Sequence, residues 1–218
     1  MVFREDGSTA AVSAPYLVGI AGPSGSGKSA FAHALASRLP GSSPVVALDS
    51  YYRDLSAVPP EERARTNFDV PGALDETLLI DQMGALARGL PIEKPMYDFA
   101  AHVRREKTDR VEPGPFVVVE GLFTFCWPAL RDLCATKVFL AVDVDTCLAR
   151  REARDVVERG RTPESVRRQF QDVAWPMYER FVRPTRAYAD LILDGGAPLD
   201  TLCGAVLDHL EKRGVIAQ

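Results

Sequence analysis

Residues 16–29 of the chain have the sequence YLVGIAGPSGSGKS. Residues 16–21 form a short apolar run of the kind found in buried strands. Residues 22–29, GPSGSGKS, match GxxxxGK[ST], in which glycines let the backbone curl so that successive N–H groups face one anion. A helix is predicted over 28–39, because apolar residues recur there at four-residue spacing. Strand, glycine-rich loop and helix in this order predict a phosphate-binding loop, or P-loop.

The loop also predicts how a nucleotide and its metal are bound. Lys28 can reach the β- and γ-phosphates, and the hydroxyl of Ser29 can ligate Mg²⁺. The helix that starts near Lys28 adds the positive end of its dipole. The predicted nucleotide-binding residues of the loop are Gly22, Ser24, Gly25, Ser26, Gly27, Lys28, Ser29 and Ala30.

Strands and helices alternate along the rest of the chain. Asp75 can cap a helix that runs through Leu86 and stops at Gly89. Residues 91–114 predict extended chain or a small hairpin, and Thr162–Pro163 predicts an N-cap followed by proline at the first helical position. The other predicted strands are 45–48, 116–120, 138–142 and 191–193, and the other helices are 146–159 and 199–213. This order is typical of an α/β fold with a doubly wound parallel sheet flanked by helices.

Acidic residues are predicted at two strand ends. Asp49 closes the second strand and Glu120 the third. Doubly wound sheets bind their ligands at the carboxyl ends of the strands, so both carboxylates are expected near the phosphate-binding loop. There a carboxylate can hold Mg²⁺ or accept a proton from an attacking hydroxyl.

The arginines at 150, 151, 154, 159, 161, 167 and 168 allow two interpretations. Acidic residues are interspersed among them at helical spacing, which is typical of a solvated, salt-bridged helix. Alternatively, the helix is a lid that closes over ATP and presents guanidinium groups to the migrating phosphoryl group. The pattern alone leaves both interpretations open.

Composition excludes several classes of protein. The chain has 218 residues and a net charge of −4, which argues against a general nucleic-acid binder. No apolar run approaches the roughly 20 residues that span a bilayer. The four cysteines form no CxxC pair and are expected to be buried, reduced side chains of a cytoplasmic protein. Residues 1–15 are predicted to be a disordered leader.

Several motifs together resemble the uridine kinases, or uridine–cytidine kinases, of the phosphoribulokinase/uridine kinase superfamily. The resemblance covers about residues 16–193. After the P-loop it is carried by these segments: DSYYRD at 49–54, NFD at 67–69, PMYDF at 95–99 with His102 and Arg104, Glu120-Gly121, RREARDVVERGR at 150–161, Gln169, FVRPT at 181–185, and Ala189-Asp190.

The resemblance implies roles for particular side chains. Asp49 would act as base or metal partner at the acceptor's 5′-hydroxyl, and Ser29 and Glu120 would help to bind Mg²⁺. The ribose would be held by Asp69, Arg151 and Gln169, with Tyr52 nearby, and the pyrimidine would lie in a slot formed by Tyr97, Phe99 and His102. Arg154, Arg159 and Arg161 would face the phosphates from a lid at about 150–168, with Arg161 also near the acceptor.

The resemblance further implies a single kinase domain over 16–218, with an acceptor-binding insertion at about 50–114 and a helical lid. Its reaction would transfer the γ-phosphoryl group of ATP or GTP to uridine or cytidine in the cytoplasm, and the protein would be a homo-oligomer, a dimer or tetramer. Val70, Gly72 and Leu74 stand where the family commonly has His, Asp and Phe. An altered acceptor, such as another nucleoside or a sugar phosphate, therefore remains an alternative, as does a nucleotide-binding regulatory switch.

Overall fold

The computed structural model describes residues 14–63 and 65–217. Residues 1–13 of the predicted leader lie outside the described part. Within it, the strands are β1 Tyr16–Ala21, β2 Val45–Ala47, β3 Ile92–Asp98, β4 Val103–Val111, β5 Phe116–Glu120, β6 Thr136–Ala141 and β7 Leu191–Asp194. The α-helices are α1 Lys28–Ala36, α2 Pro60–Arg63, α3 Glu76–Ala87, α4 Pro128–Leu133, α5 Val144–Arg159, α6 Pro163–Gln169, α7 Trp175–Met177 and α8 Leu199–Lys212.

Five of these strands form one parallel sheet in the order β2-β5-β1-β6-β7. Tyr16 of β1 pairs with Phe116 of β5, and Val18 pairs with Thr136 of β6, so β1 lies at the centre. Because the strands are parallel, their carboxyl ends lie along one edge of the sheet, and the loop after β1 is at the middle of that edge.

Successive residues of the central strands feed two cores on opposite faces of the sheet. Leu17 and Val117 belong to the core that includes residues of α3 and α4. Val18 and Val118 belong to the core that includes residues of α1 and α8. Burial on both faces explains why β5 is apolar at four consecutive positions. Helices on both faces confirm the predicted doubly wound α/β fold.

Most predicted elements are confirmed with small differences in their ends. β1, β5 and the start of α1 match the predicted positions, and Asp75 caps α3 by accepting a hydrogen bond from the Leu78 N–H at 3.2 Å. The predicted Thr162 cap is also present, since its side chain accepts a hydrogen bond from the Ser165 N–H, and α6 begins at Pro163.

The predicted ends of α1 and β2 are among those that differ. Helix α1 stops at Ala36 rather than Leu39, and the chain continues as a turn in which the Arg38 N–H donates to the Leu35 carbonyl oxygen at 2.9 Å. Pro40 then disfavours a helical Leu39. Strand β2 stops at Ala47, and the chain then forms a 3₁₀ turn over Leu48–Tyr51. Asp49 therefore lies on a turn beyond the strand end rather than on the strand itself.

The predicted hairpin at 91–114 is formed by β3 and β4, which pair antiparallel from Ile92↔Val111 to Asp98↔Val103. The carboxylate of Asp98 accepts hydrogen bonds from the N–H groups of Ala100 and Ala101 at 3.0 and 3.1 Å. These bonds fix the tip of the hairpin, residues 99–102.

After α6 the chain stays helical through a series of irregular turns, which were not predicted from the amino-acid sequence. Two π-helical turns, Phe170–Ala174 and Tyr178–Val182, flank α7, and a 3₁₀ segment Arg183–Tyr188 follows. Prolines at 176 and 184 lack the N–H that a regular helix would use, which is consistent with wider turns here. In residues 14–63 and 65–217, no helix combines the length and apolar character needed to cross a bilayer.

Gly114 makes a close backbone approach that gives a stability prediction. A Cβ atom at Gly114 would lie 1.6 Å from the carbonyl oxygen of Ser42, so the turn before β5 cannot hold a side chain without moving. Gly114→Ala is expected to destabilise the fold by about 1 to 3 kcal/mol, the usual cost of overpacking. Thermal unfolding followed by circular dichroism measures the change.

Gly204 provides the matched control. It lies inside α8, where an added Cβ would meet no heavy atom within 4 Å, and alanine is a better helix former by about 1 kcal/mol. Gly204→Ala is therefore expected to raise the Tm while Gly114→Ala lowers it. Equal Tm values for the two variants would contradict the packing described around Gly114.

Candidate functional site

A cleft of about 970 Å³ opens at the carboxyl ends of the central strands. The P-loop, the turn after β2, the tip of the hairpin and helices α5 and α6 form its walls. The predicted site residues that line it are Ser24, Gly25, Gly27, Lys28, Ser29, Ala30, Asp49, Tyr52, Asp69, Tyr97, Phe99, His102, Glu120, Arg151, Arg154, Arg159, Arg161 and Gln169. Gly22 and Ser26 are the exceptions, since neither contributes to the lining. The Ser26 side chain is 1% exposed.

The phosphate-binding loop is held against the start of α5. Gly25 has a φ of +83°, which glycine adopts without the steric cost that other residues pay. A Cβ atom at Gly25 would lie 2.4 Å from the carbonyl oxygen of Cys147, so only glycine allows this approach. Gly27 then caps α1, whose first N–H groups and dipole favour an anion at this end.

Lys28, Ser29 and two carboxylates form a polar group beside the loop. The Lys28 Nζ donates a hydrogen bond to the carbonyl oxygen of Pro23 at 2.8 Å, and the Ser29 Oγ donates to the Glu120 Oε1 at 2.8 Å. Burial raises the pKa of both Asp49 and Glu120, and the nearby Lys28 opposes that shift. Burial lowers the pKa of Lys28, while Glu120 and Asp49 raise it. Lys28 thus favours the ionised form of each carboxyl and the carboxylates favour the ionised Lys28, whereas Asp49 raises the pKa of Glu120 because like charges repel.

The oxygen atoms in this group fit a magnesium ion. Ser29, Asp49 and Glu120 present one hydroxyl and two carboxylates, the hard ligands that Mg²⁺ prefers. Across the described residues there is no compact group of three His, Cys, Asp or Glu side chains that could hold a metal. Mg²⁺ in kinases is usually held by one or two protein carboxylates together with substrate phosphates, so this sparse donor set is sufficient.

The middle of the cleft is polar and tightly connected. Asp69 and Arg151 are 8% and 5% exposed, and they form an ion pair with 3.5 Å between Oδ1 and Nη1. The Gln169 Oε1 accepts hydrogen bonds from the Arg151 Nη2 at 3.0 Å and from the Arg161 Nη1 at 2.6 Å. A small polyhydroxyl group at this position would meet a carboxylate, an amide and guanidinium donors.

Aromatic rings line the far end of the cleft. The rings of Tyr97 and Phe99 lie 5.3 Å apart and edge to face, and Tyr52 lies 5.4 Å from Tyr97. Phe68 stacks on His102 at 4.8 Å and with an angle of 18° between the planes. Such a set of ring faces suits a flat, partly polar group such as a nucleobase.

His102 is fixed and neutral at the tip of the hairpin. Its φ of +56° lies in the left-handed region, which is uncommon for a residue other than glycine. Burial and the nearby Arg159 and Arg63 cations lower the pKa of His102, so at neutral pH the imidazole has one N–H donor and one acceptor nitrogen. Burial also raises the pKa of Tyr97 to about 12, so its hydroxyl stays protonated.

The arginines of the run differ in what surrounds them. Arg167 pairs with Glu152 through two hydrogen bonds of 2.6 and 2.8 Å on the exposed side of α5. Arg151, Arg154, Arg159 and Arg161 line the cleft instead. The guanidinium carbon of Arg159 lies 5.6 Å from the centre of the Phe99 ring, so the arginine helix contacts the hairpin tip across the cleft.

Six lining residues were not among the predicted site residues: Thr66, Phe68, Ala100, Gly121, Leu122 and Arg150. Most adjoin predicted residues in sequence, such as Gly121 after Glu120. Phe68 had the clearest signal, since it is the central residue of the segment NFD. Arg150 was in the arginine run, and its Nη1 donates a hydrogen bond to the Gly195 carbonyl oxygen at 2.9 Å.

The departures from the family pattern do not line the cleft, although Val70 follows the lining residue Asp69 and Leu74 pairs with the lining residue Tyr52. Leu74 is 2% exposed and belongs to the core that also contains Tyr52. Gly72 lies in a 3₁₀ turn, where an added Cβ would meet no heavy atom within 4 Å, and Val70 precedes that turn. None of the three contributes to the lining of the cleft in the described part of the chain.

Comparison with known proteins places these features in a family. Residues 17–201 match the model of the phosphoribulokinase/uridine kinase family. A uridine kinase from Chloroflexus aurantiacus is 45% identical over 184 residues, covering 84% of this chain and 88% of that protein. One from Geobacillus sp. is 44% identical and covers 93% and 98%, and one from Ligilactobacillus salivarius is 41% identical and covers 91% and 96%.

Solved structures share the fold at low sequence identity. Phosphoribulokinase from Rhodobacter spheroides superposes with a TM-score of 0.60 at 14% identity, covering 87% of this chain and 75% of that chain. D-glycerate 3-kinase from Cryptococcus neoformans has a TM-score of 0.60 at 18% identity, covering 79% and 80%. Both therefore support the P-loop kinase architecture.

Proposed function

The chain belongs to the phosphoribulokinase/uridine kinase family, and from that membership and its site we propose that it is a nucleoside kinase that phosphorylates the 5′-hydroxyl of uridine or cytidine. One observation carries the choice of acceptor. One continuous cleft runs from the phosphate-binding loop, past the side chains of Asp69, Arg151 and Gln169, to the aromatic slot. That slot is formed by Tyr97, Phe99 and His102. Phosphates, ribose and base follow one another in the same order in a nucleoside kinase complex.

In this proposal the donor lies on the P-loop and beneath the arginines. Lys28 and the first N–H groups of α1 bind the β- and γ-phosphates of ATP or GTP. Arg154, Arg159 and Arg161 contribute positive charge from the opposite side, where phosphoryl transfer needs charge stabilisation rather than covalent help. Bound Mg²⁺, held by Ser29, Asp49 and Glu120, would neutralise phosphate oxygens.

Asp49 has the central role on the acceptor side. Its carboxylate accepts the proton of the 5′-hydroxyl as that oxygen bonds to the γ-phosphorus in line with the leaving diphosphate, which departs as ADP or GDP. Asp69, Arg151 and Gln169 bind the ribose hydroxyls, and Tyr52 closes that part of the cleft. A neutral nucleoside is selected by stacking and by hydrogen bonds that a wrong acceptor leaves unmade.

The proposal extends to the organisation of the chain. We assign 16–218 to one kinase domain, in which residues 50–114 bind the acceptor and 150–168 form a lid. The Arg159–Phe99 contact supports the lid, because it joins the two segments across the cleft. The free cysteines, Cys134, Cys147 and Cys203 buried and Cys126 partly buried, support a reducing cytoplasmic location. The family resemblance supports a homo-oligomer, a dimer or tetramer.

An acceptor panel tests the function. Purified protein is mixed with Mg²⁺, ATP or GTP, and in turn uridine, cytidine, adenosine, a pentose phosphate or no acceptor, and diphosphate release is followed. We expect rapid release with uridine or cytidine, a 5′-monophosphate product by ³¹P NMR, and little release without an acceptor. Turnover with the pentose phosphate alone would retain the kinase and refute the pyrimidine slot. Slow release independent of acceptor would instead indicate a regulatory switch.

A further inference from the structure

Asp155 is a buried carboxylate that the proposed mechanism does not use. It lies in α5 with 0% exposure and is surrounded by four arginines that line the cleft. The Arg154 Nε and Nη2 lie 2.9 and 2.8 Å from its Oδ1. The Arg159 Nε is 3.6 Å from the same oxygen, while the Arg151 Nε and Arg161 Nη1 lie 3.7 and 3.6 Å from Oδ2.

Arginines outnumber the carboxylates that pair with them around Asp155. Asp69 contributes the other carboxylate, 3.5 Å from Arg151. Among the described residues, four guanidinium groups thus meet only two carboxylates within ion-pair distance, and Asp49 is a further carboxylate near Arg154 and Arg159 in the same cleft. Without Asp155 the repulsion between the arginines would be larger, and Arg154 and Arg159, whose side chains are 36% and 37% exposed, could move out into water.

The contacts of Asp155 are made through particular edges of the guanidinium groups. Arg151 and Arg159 approach it with Nε, so their terminal Nη groups remain available for other partners. Arg151 uses its Nη groups for Asp69 and Gln169. In the described part of the chain, no hydrogen bond is formed by the guanidinium group of Arg159, which is therefore free to bind an anion in the cleft.

We propose that Asp155 is a positioning residue for phosphoryl transfer, which holds the lid arginines by one edge so that their other edges face the donor phosphates. The inference rests on the proposed kinase mechanism, in which those arginines stabilise charge on the transferred group. Asp155 itself touches neither substrate. It acts through Arg154, Arg159 and Arg161, whose placement decides how much charge they neutralise.

This role predicts opposite changes in two measurements. Asp155→Asn keeps the size of the side chain and removes its negative charge. The cleft becomes more positive, so a nucleoside triphosphate should bind as tightly as to the wild type or more tightly. The arginines lose their alignment, so kcat should fall by roughly 10²-fold, the effect of a misplacement of about 1 Å. A purely structural role would weaken nucleotide binding and activity together.

The matched control is Glu152→Gln on the same helix. Glu152 also pairs with an arginine, Arg167, but on the exposed side away from the cleft. This variant should keep the wild-type kcat and nucleotide affinity. Asp155→Glu restores the charge on a longer side chain, and its kcat should be at least tenfold higher than that of Asp155→Asn.

The experiment measures kcat for uridine or cytidine, and nucleotide affinity by calorimetry without acceptor, in the wild type and the three variants. Thermal unfolding of each variant gives its Tm and its folded fraction at the assay temperature, and kcat is expressed per folded protein. The proposal is supported if kcat falls and nucleotide affinity does not in Asp155→Asn, while Glu152→Gln keeps both wild-type values. A kcat within threefold of the wild type overturns it, and so does a parallel loss of kcat, affinity and Tm, or no recovery in a folded Asp155→Glu. A wild type that is inactive with both nucleosides would refute the proposed acceptor instead. The kcat values of the variants would then be compared by using the acceptor of the panel that the wild type does phosphorylate.

Discussion

Asp49→Asn is expected to lower kcat by about 10²- to 10⁴-fold, the usual contribution of a general base. Asparagine has nearly the same shape, but its amide cannot accept the hydroxyl proton. Asp49 lines the cleft on the turn after β2, and burial raises the pKa of its carboxyl while Lys28, Arg159 and Arg154 oppose that shift. Burial therefore makes the carboxylate a stronger base than in water, while the nearby cations stabilise its ionised form.

Steady-state kinetics with uridine and saturating ATP measures this effect, and calorimetry checks that the variant still binds nucleotide. Asp81→Asn is the control, because Asp81 is an exposed carboxylate on α3 that does not line the cleft. Its kcat should equal that of the wild type. A wild-type kcat in Asp49→Asn would remove the base from the proposed mechanism.

Lys28→Met should reduce kcat/KM for ATP by about 10²- to 10³-fold, the cost of losing one preorganised donor to developing charge. Methionine fills a similar volume without the ammonium group. Lys212→Met, at an exposed position near the end of α8, is the control and should have no effect. An equal loss in both variants would indicate a general change in charge rather than a contact with the phosphates.

The same substitution should change the pH dependence. Lys28 lowers the pKa of Asp49 and Glu120 against the effect of burial, so its removal raises both. In the proposed mechanism activity requires the ionised Asp49, so we expect activity to be lost as the pH falls through the pKa of that carboxyl. The acid limb of the kcat/KM profile should therefore move to higher pH in Lys28→Met. An unchanged acid limb would show that Lys28 does not interact with the group that titrates.

The elements that sequence predicts best here are those with a local signal. β1 and β5 are continuous apolar runs with clear ends, and both were predicted residue for residue. The phosphate-binding loop has a required spacing of glycines, and Thr162-Pro163 has the chemistry of a helix start. Each of these patterns is decided by neighbouring residues, so no knowledge of the rest of the chain is needed.

The features that were missed depend on contacts between distant segments. Phe68 enters the aromatic slot because the hairpin tip brings His102 against it. The π-helical turns lie on either side of α7 in a segment that contains prolines, where Phe170 and Ala174 pack with Cys147 of α5, and no periodicity in the sequence marks them. The resemblance to a known family predicted the cleft residues, whereas the buried position of Asp155 among them required the fold.

The central place of β1 in the sheet has a consequence for synthesis of the protein. Tyr16 pairs with Phe116, and Val18 pairs with Thr136, so both neighbours of β1 leave the ribosome long after it does. At roughly 5 to 20 residues per second, the nascent β1 waits about 5 to 20 s for its first partner. Until then the phosphate-binding loop has no sheet to hold it, and nucleotide cannot assist the early steps of folding.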